Sequence, residues 1–388
     1  MKFKYPYNKH KIFKKDFDAI KSVLKSNFLT QGPQTKKFEK NLANFSNSKF
    51  CVTFNSASSA LLAACYSLGL SRNDNFWTVP NTYLASANAG LICGANIDFV
   101  DIDKDTLNIC PKKLEKKLLN TKKNKLPKLI IVVHFGGCSH DQEYIYKLSK
   151  KFGFKIIEDC SHSFGGKYKN FKICSCKFSN IAITSFHPIK TITTGEGGAL
   201  FTNNKNIRDF CISFRENGKI RSKKIIFKDK IYKQYDQVRL GYNLRMSDIN
   251  AALGLSQLKN ISKLVKKRNL LAKNYKRILS DLPLKFQEVP NFITSTYHLF
   301  TITIIDKKLR KKFRLLFKNL RKNGIITTLH YYPIHLHSFY KKKGFKLNDF
   351  PIAENYSRYS FSLPIYYDLK FTEQKIIVNK IKKIINLN

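Results

Sequence analysis

Ser185-Phe186-His187-Pro188-Ile189-Lys190-Thr191-Ile192-Thr193-Thr194-Gly195-Glu196-Gly197-Gly198 is the stretch that decides how this chain is read. Ile181-Ala182-Ile183-Thr184 leads in and Ala199-Leu200-Phe201-Thr202 leads out, both strand-length and apolar. Between them Lys190 is the one lysine in a segment dominated by apolar, hydroxylated and glycine residues. A lysine taken out of water loses part of its preference for the charged form and becomes an amine able to form a Schiff base. Ser185 offers a hydroxyl suited to a phosphate, and the glycines let backbone approach a flat ligand. The ordinary alternative is an exposed lysine on a strand–turn–strand, in a chain with 71 Lys and Arg.

A second segment bears on that choice. Leu129-Ile130-Ile131-Val132-Val133 and Lys155-Ile156-Ile157-Glu158-Asp159 read as buried parallel strands separated by a helix over 142–152. Asp159 then falls at the carboxyl end of its strand, where open α/β sheets bind ligands. Alone it reads as a helix cap. Beside a Schiff-base lysine it reads as the carboxylate that pyridoxal phosphate (PLP) needs at its ring nitrogen.

Glu158-Asp159-Cys160-Ser161-His162-Ser163-Phe164-Gly165, followed by Ser185-Phe186-His187-Pro188-Ile189-Lys190, resembles the DegT/DnrJ/EryC1/StrS sugar aminotransferases, with similarity running from Tyr5 to about Tyr367. The resemblance implies the type I PLP-dependent aminotransferase fold. That is a large α/β domain with a mostly parallel sheet (1–255) and a smaller C-terminal α+β domain (256–388). It implies PLP on Lys190, Asp159 at the pyridine nitrogen and His162 at the phenolic oxygen. It also implies a cytoplasmic homodimer with shared active sites, with L-glutamate as donor and a UDP-linked 4-keto sugar as acceptor. Within the family the chain is most similar to the branch serving pseudaminic acid synthesis, which aminates C4 of a 4-keto-6-deoxy-N-acetylhexosamine. Bacillosamine, perosamine or 4-amino-arabinose precursors are the alternative sugars. A dehydratase on the same fold would carry histidine in place of Lys190. A non-catalytic regulatory or nucleic-acid-binding relative is the alternative of a different class.

Composition narrows the classes further. At 388 residues, 43% hydrophobic and 13% aromatic, the chain can bury a large core. Met1 to Pro6 has no apolar signal core, and the longest apolar runs are strand-length, so membrane insertion is not expected. Nine scattered cysteines read as reduced thiols. Cys174-Ser175-Cys176 lacks a second pair at zinc spacing, so no metal is expected. The net charge of +45 admits nucleic acid or anionic membrane as partners. Because the lysines are spread along the whole chain without a nucleic-acid motif, a nucleotide diphosphate is the better fit.

Asn55-Ser56-Ala57-Ser58-Ser59-Ala60 opens a helix after a strand; such a turn is either a plain N-cap or an anion site. The family uses this turn for the cofactor phosphate, which nominates Ala57 and Ser58. Tyr83, core or rim by default, matches an aromatic lying on the pyridine face. Asn243 and Arg245, otherwise a loop and a solvated charge, match a segment that reaches the neighbouring subunit's site. A lysine-rich excursion from Arg215 to about Tyr235 precedes them. The resemblance nominates Tyr5, Asn27, Phe28, Leu29 and Thr30 for the substrate, with Ala57, Ser185 and Arg245 shared. His330, Tyr332, Pro333, Ile334 and His335 are nominated with them, although a histidine-rich loop is ordinarily packing. Further on, the pattern predicts a long basic helix over 256–280, a strand at 300–304, a helix over 307–323, a strand at 325–329 and a final helix from Thr372.

Overall fold

A computed structural model describes residues 4–228 and 231–386. Helices α1 (Lys14–Leu24) and α2 (Pro33–Ser46) precede strand β1 (Phe50–Phe54). Helices and strands then alternate through α3 (Ala57–Ser67), β2 (Asn75–Thr78), α4 (Leu84–Ile92), β3 (Asn96–Phe99), α5 (Pro111–Asn120), β4 (Leu129–Val133), α6 (Gln142–Phe152) and β5 (Lys155–Asp159). A hairpin, β6 (Lys167–Tyr168) and β7 (Phe171–Lys172), leads to β8 (Ile181–Ser185) and β9 (Gly198–Thr202).

Seven strands form one sheet in the order β1-β9-β8-β5-β4-β2-β3. β9 is antiparallel to both neighbours, and the remaining pairings are parallel. β4 is buried along its length because both faces of the sheet are covered. Its alternate residues feed two cores: Ile130 and Val132 join Trp77, Phe99 and Ile156, while Leu129 and Ile131 join Phe54, Phe76 and Ile183.

Register determines what the edge of this sheet carries. Val133 pairs with Asp159 and Asp159 with Ile183, so β4 and β5 end together and β8 runs on to Ser185. Gly198 pairs with both Ser185 and Phe54, the last residues of β8 and β1. The carboxyl ends of β1, β5 and β8 therefore lie along one edge, and the chain leaving β1 turns directly into α3.

Beyond α7 (Lys205–Phe214), β10 (Lys219–Lys228) and β11 (Ile231–Gln237) pair as an antiparallel ribbon, followed by α8 (Asp248–Leu258) and α9 (Ile261–Ile278). The rest comprises β12 (Leu284–Phe286), β13 (Ile293–Thr294), β14 (Phe300–Ile304), α10 (Lys307–Lys311), α11 (Phe313–Lys322), α12 (Ser338–Lys341), α13 (Pro351–Tyr359), β15 (Ser360–Leu363) and α14 (Phe371–Asn386). β14 lies between β12 and β15, and this small sheet shares a core with α9, α11 and α14 around Tyr275, Ile302, Leu316, Phe361 and Ile377. Ile334, Phe350 and Tyr356 instead pack into the core of the large sheet.

Four expectations change. The lysine-rich excursion is a strand ribbon; Asp229 and Lys230, and Met1 to Phe3 of the basic lead-in, lie outside the described residues. The helix expected over 256–280 begins as the end of α8 and restarts as α9, because the chain turns at Lys259-Asn260, with Asn260 N–H donating to Gln257 O. The helix over 307–323 divides at Lys312 into α10 and α11. The strand at 325–329 reduces to single bridges, Ile325 to Tyr5 and Thr328 to Ser362.

The two lobes meet at a buried cation. Arg268 on α9 donates from Nη1 to Ile365 O (2.9 Å) and His298 O (3.3 Å), and from Nη2 to Asn8 Oδ1 (2.8 Å). Asn8 Nδ2 in turn donates to Ile189 O at 2.9 Å, next to Lys190. Burial lowers the Arg268 guanidinium to about 10. Replacing it with leucine strands buried carbonyls, so Arg268→Leu is expected to cost about 2–3 kcal/mol, read as a lower urea midpoint. An unchanged midpoint would place the hold between the lobes elsewhere.

Candidate active site

The shared edge of β1, β5 and β8 opens into a cavity of about 430 Å³. Lys190 lies in the turn after β8 rather than in a strand, its N–H donating to His187 O at 2.9 Å. The turn is closed by Phe186 N–H to Gly197 O and Thr194 N–H to Phe186 O, bonds that fold the chain back into β9. Burial lowers the Lys190 amine to about 8, and the Asp159 carboxylate opposes that shift. A substantial fraction of the amine is thus neutral near physiological pH.

Asp159 ends β5 and is held from two sides. Its Oδ2 accepts from the Ser86 hydroxyl on α4 at 2.8 Å, and its Oδ1 accepts from Ser161 N–H at 3.1 Å. The capping and functional readings of this residue therefore coexist, since the carboxylate that closes the turn also lines the cavity. His162 is buried, and that burial, with the Lys190 and His330 charges nearby, holds its pKa well below the usual value. Its Nε2 lies 3.1 Å from the Tyr331 hydroxyl, and its ring packs on His298 at 4.2 Å between centroids. Its Nδ1 is buried with no hydrogen-bond partner among the described residues.

The third wall is the start of α3. Ser56 caps it, accepting from Ser59 N–H, and the first amides of the helix, those of Ala57 and Ser58, have no carbonyl a turn earlier to bond. Gly198 lets β9 pass directly beneath this turn. A Cβ there would collide with the Ala57 backbone nitrogen. Free N–H groups and the positive end of the helix dipole make the turn an anion site.

The cavity brings together Lys190, Asp159, His162, Ala57, Ser58, Tyr83, Ser185 and His330. Tyr83 stands at its mouth, 62% exposed. The other nominated residues lie elsewhere. Tyr5 is 1% exposed, buried in the core of the small sheet and bridged to Ile325, so it is packing and does not line the cavity. Ile334 fills the core of the large sheet, and buried His335 bonds Glu354 at 3.0 Å, so neither faces the cavity. Tyr332 is exposed and packs edge-on against His337, and Pro333 leads into the turn holding Ile334. Asn27, Phe28, Leu29 and Thr30 lie outside as well: Leu29 O accepts from Asp248 N–H, and Thr30 bridges Ser247. Arg245 lines a separate cavity of about 480 Å³ with Gln31, Lys36 and Lys219, while Asn243 bridges Glu216. Tyr7, Thr82, Glu196 and Tyr331 line the Lys190 cavity without having been nominated. Tyr331 sits between the nominated His330 and Tyr332. Tyr7 reaches the cavity only through tertiary packing, its ring 5.2 Å from that of His330.

This donor set fits PLP. A buried amine can take its aldehyde, a fixed carboxylate its ring nitrogen, an orphaned imidazole nitrogen a ring oxygen, and the α3 amides its phosphate. The comparisons agree. The profile of the DegT/DnrJ/EryC1/StrS aminotransferase family matches residues 10–382. The chain is 34% identical over 385 residues to the UDP-4-amino-4,6-dideoxy-N-acetyl-beta-L-altrosamine transaminase of Campylobacter jejuni serotype O:23/36, covering 97% of this chain and 98% of that one. It superposes with a TM-score of 0.89 on Helicobacter pylori PseC, an aminotransferase involved in the biosynthesis of pseudoaminic acid, at 32% identity over 98% of both chains. The PLP form of Spr1654 from Streptococcus pneumoniae matches at a TM-score of 0.88 and 25% identity, again over 98% of both. With the type I fold and a site suited to PLP, the chain belongs to the DegT/DnrJ/EryC1/StrS aminotransferase family, whose members depend on that cofactor.

Proposed function

We propose that this enzyme moves the amino group of L-glutamate to C4 of a UDP-linked 4-keto-6-deoxy-N-acetylhexosamine. The specific acceptor is UDP-2-acetamido-2,6-dideoxy-β-L-arabino-hexos-4-ulose. The observation that carries the chemistry is a buried amine of lowered pKa sharing one cavity with a fixed carboxylate and an open helix N-terminus. What supports the acceptor is similarity over 97% of the chain to a transaminase named for the altrosamine product.

PLP, when bound, supplies the carbonyl that carries the amino group between donor and acceptor and a ring that takes up electrons. Lys190 Nζ removes the Cα proton of L-glutamate and later delivers a proton at C4 of the sugar. Asp159 keeps a proton on the ring nitrogen. His162, neutral and with Nδ1 unpartnered among the described residues, offers a ring N–H to the phenolic oxygen. The Ala57 and Ser58 amides and the Ser185 hydroxyl hold the phosphate, while Tyr83 flanks the ring face.

Arg245 and the loop carrying Thr30 gather beside a different cavity from Lys190. That separation supports a homodimer in which Arg245 serves the site of the other chain. On this reading neither Lys190→Ala nor Arg245→Ala protein is active alone. After subunit exchange the mixture regains activity, because one of the two heterodimer sites then holds both residues. Verified exchange without recovery would keep Arg245 within its own chain.

The lowered amine pKa has a measurable consequence. An amine attacks only when deprotonated, so covalent capture of PLP by apo-protein, trapped by borohydride at Lys190, should rise with pH through about 8. A midpoint near the ordinary lysine value, or trapping on another lysine, would remove the assignment.

Side-by-side turnover of the L-arabino ketosugar and its D-xylo epimer tests the acceptor. Faster amination of the L-arabino sugar is expected. Preference for the D-xylo epimer would retain the aminotransferase and discard this substrate.

A further inference from the structure

On the far side of β5 from the cofactor cavity lies a cluster that the amino-transfer chemistry does not use. Glu158 precedes Asp159 on the strand, so its side chain leaves by the opposite face. There it meets His134, just after β4, and His140, just before α6. His134 Nε2 is 3.7 Å and His140 Nε2 3.9 Å from Glu158 Oε1, and one donor atom from each of the three residues falls within a 4.8 Å span. All three side chains are almost completely buried. His134 Nε2, Glu158 Oε1 and His140 Nδ1 have no hydrogen-bond partner among the described residues.

Buried groups without a hydrogen bond cost on the order of 1–3 kcal/mol each, a cost that either a protonated His134 facing Glu158 or a species bridging all three would offset. The spacing is too long for direct hydrogen bonds and wide enough for an ion between the atoms. The outer contacts are those of a metal site. His134 Nδ1 is 2.8 Å from the Ser163 hydroxyl, and Glu158 Oε2 accepts from the Ser179 hydroxyl at 3.0 Å. Each contact orients its residue so that the remaining donor atom points inward. Which His140 nitrogen faces inward is exchanged by a ring flip. The Cys160 thiol donates to Glu158 O at 3.8 Å, and its sulfur falls outside the 4.8 Å span of the three donor atoms.

We propose that His134, His140 and Glu158 bind a zinc-class divalent ion, with a water as fourth ligand. Two imidazoles and a carboxylate are donors suited to tetrahedral zinc with an open fourth position. Closed off from solvent and from the cofactor cavity, the ion would be structural, tying the ends of β4 and β5 together behind Asp159.

Tag-free holoenzyme stripped with chelator and titrated with Co²⁺ tests this. About one equivalent per chain should bind, giving the visible absorption band of a tetrahedral site. His140→Ala should abolish the band while leaving the PLP absorption of the holoenzyme in place. Ser163→Ala, which removes only an outer contact, should weaken affinity by about 10–100-fold. Failure of the native protein to take up Co²⁺ or Zn²⁺ would overturn the proposal in favour of a bridging water. Undiminished uptake by a folded His140→Ala variant would overturn it by placing the metal elsewhere. If His140→Ala does not fold, the Ser163→Ala titration decides between the same outcomes.

Discussion

A partly neutral lysine amine is available in this protein because the turn after β8 places the amine out of solvent near a single carboxylate. Full solvation would restore the ammonium, and closer neutralisation by several carboxylates would fix it. The amine near 8 reflects a balance in which burial outweighs the attraction of Asp159. Much of the surrounding architecture maintains that balance. Parallel register ends β5 beside β8, Ser86 and Ser161 fix the carboxylate, and the Arg268–Asn8–Ile189 chain of hydrogen bonds holds the turn from the other lobe. Distant residues thus act on the chemistry by deciding how dry the amine is.

Features that depend on local sequence were legible. α6 falls on the residues its periodicity marks, and β4, β5 and the small-residue turn at Ser56–Ser59 are where their patterns place them. Lys190, Asp159, Ala57, Ser58 and Ser185 converge because all sit at the carboxyl ends of strands sharing one sheet, and strand ends can be read from a chain. Residues that depend on tertiary packing were not legible. Tyr5 and Tyr7 are two positions apart in a short extended segment, yet one is core and the other lines the cavity. In His330-Tyr331-Tyr332-Pro333-Ile334-His335, ring chemistry gives no sign that Tyr331 reaches His162 while His335 serves Glu354.

The excess of positive charge is distributed unevenly with respect to the two cavities. Around Lys190 the polar lining is mainly hydroxyl, imidazole and carboxylate, whereas Lys36, Arg215, Lys219 and Arg245 line the other cavity. Arg215 is committed to Glu39 at 2.5 Å and to Thr53 O, so its role there is structural. Lys36, Lys219 and Arg245 share that lining with Asp209 and Glu216, leaving a modest excess of positive charge there. Keeping extra cations away from the amine also has a chemical reason. Nearby positive charge would lower its pKa further and weaken it as a base.

The two carboxylates that end β5 show how one strand separates two tasks. Glu158 and Asp159 are adjacent, both buried, and project from opposite faces, so neither can neutralise or repel the other through direct contact. Each must find compensation on its own side. Asp159 meets hydroxyl and amide donors and an amine whose charge state is adjustable, which keeps it an ionised acceptor facing the cavity. Glu158 meets Ser179 and two imidazoles in a closed interior, with no cavity for substrate, which suits a fixed charge. A carboxylate dyad on one face would have pushed one member towards its protonated form. Alternation along a single strand avoids that, and it leaves the carboxylate beside Lys190 as the acceptor that a protonated ring nitrogen needs.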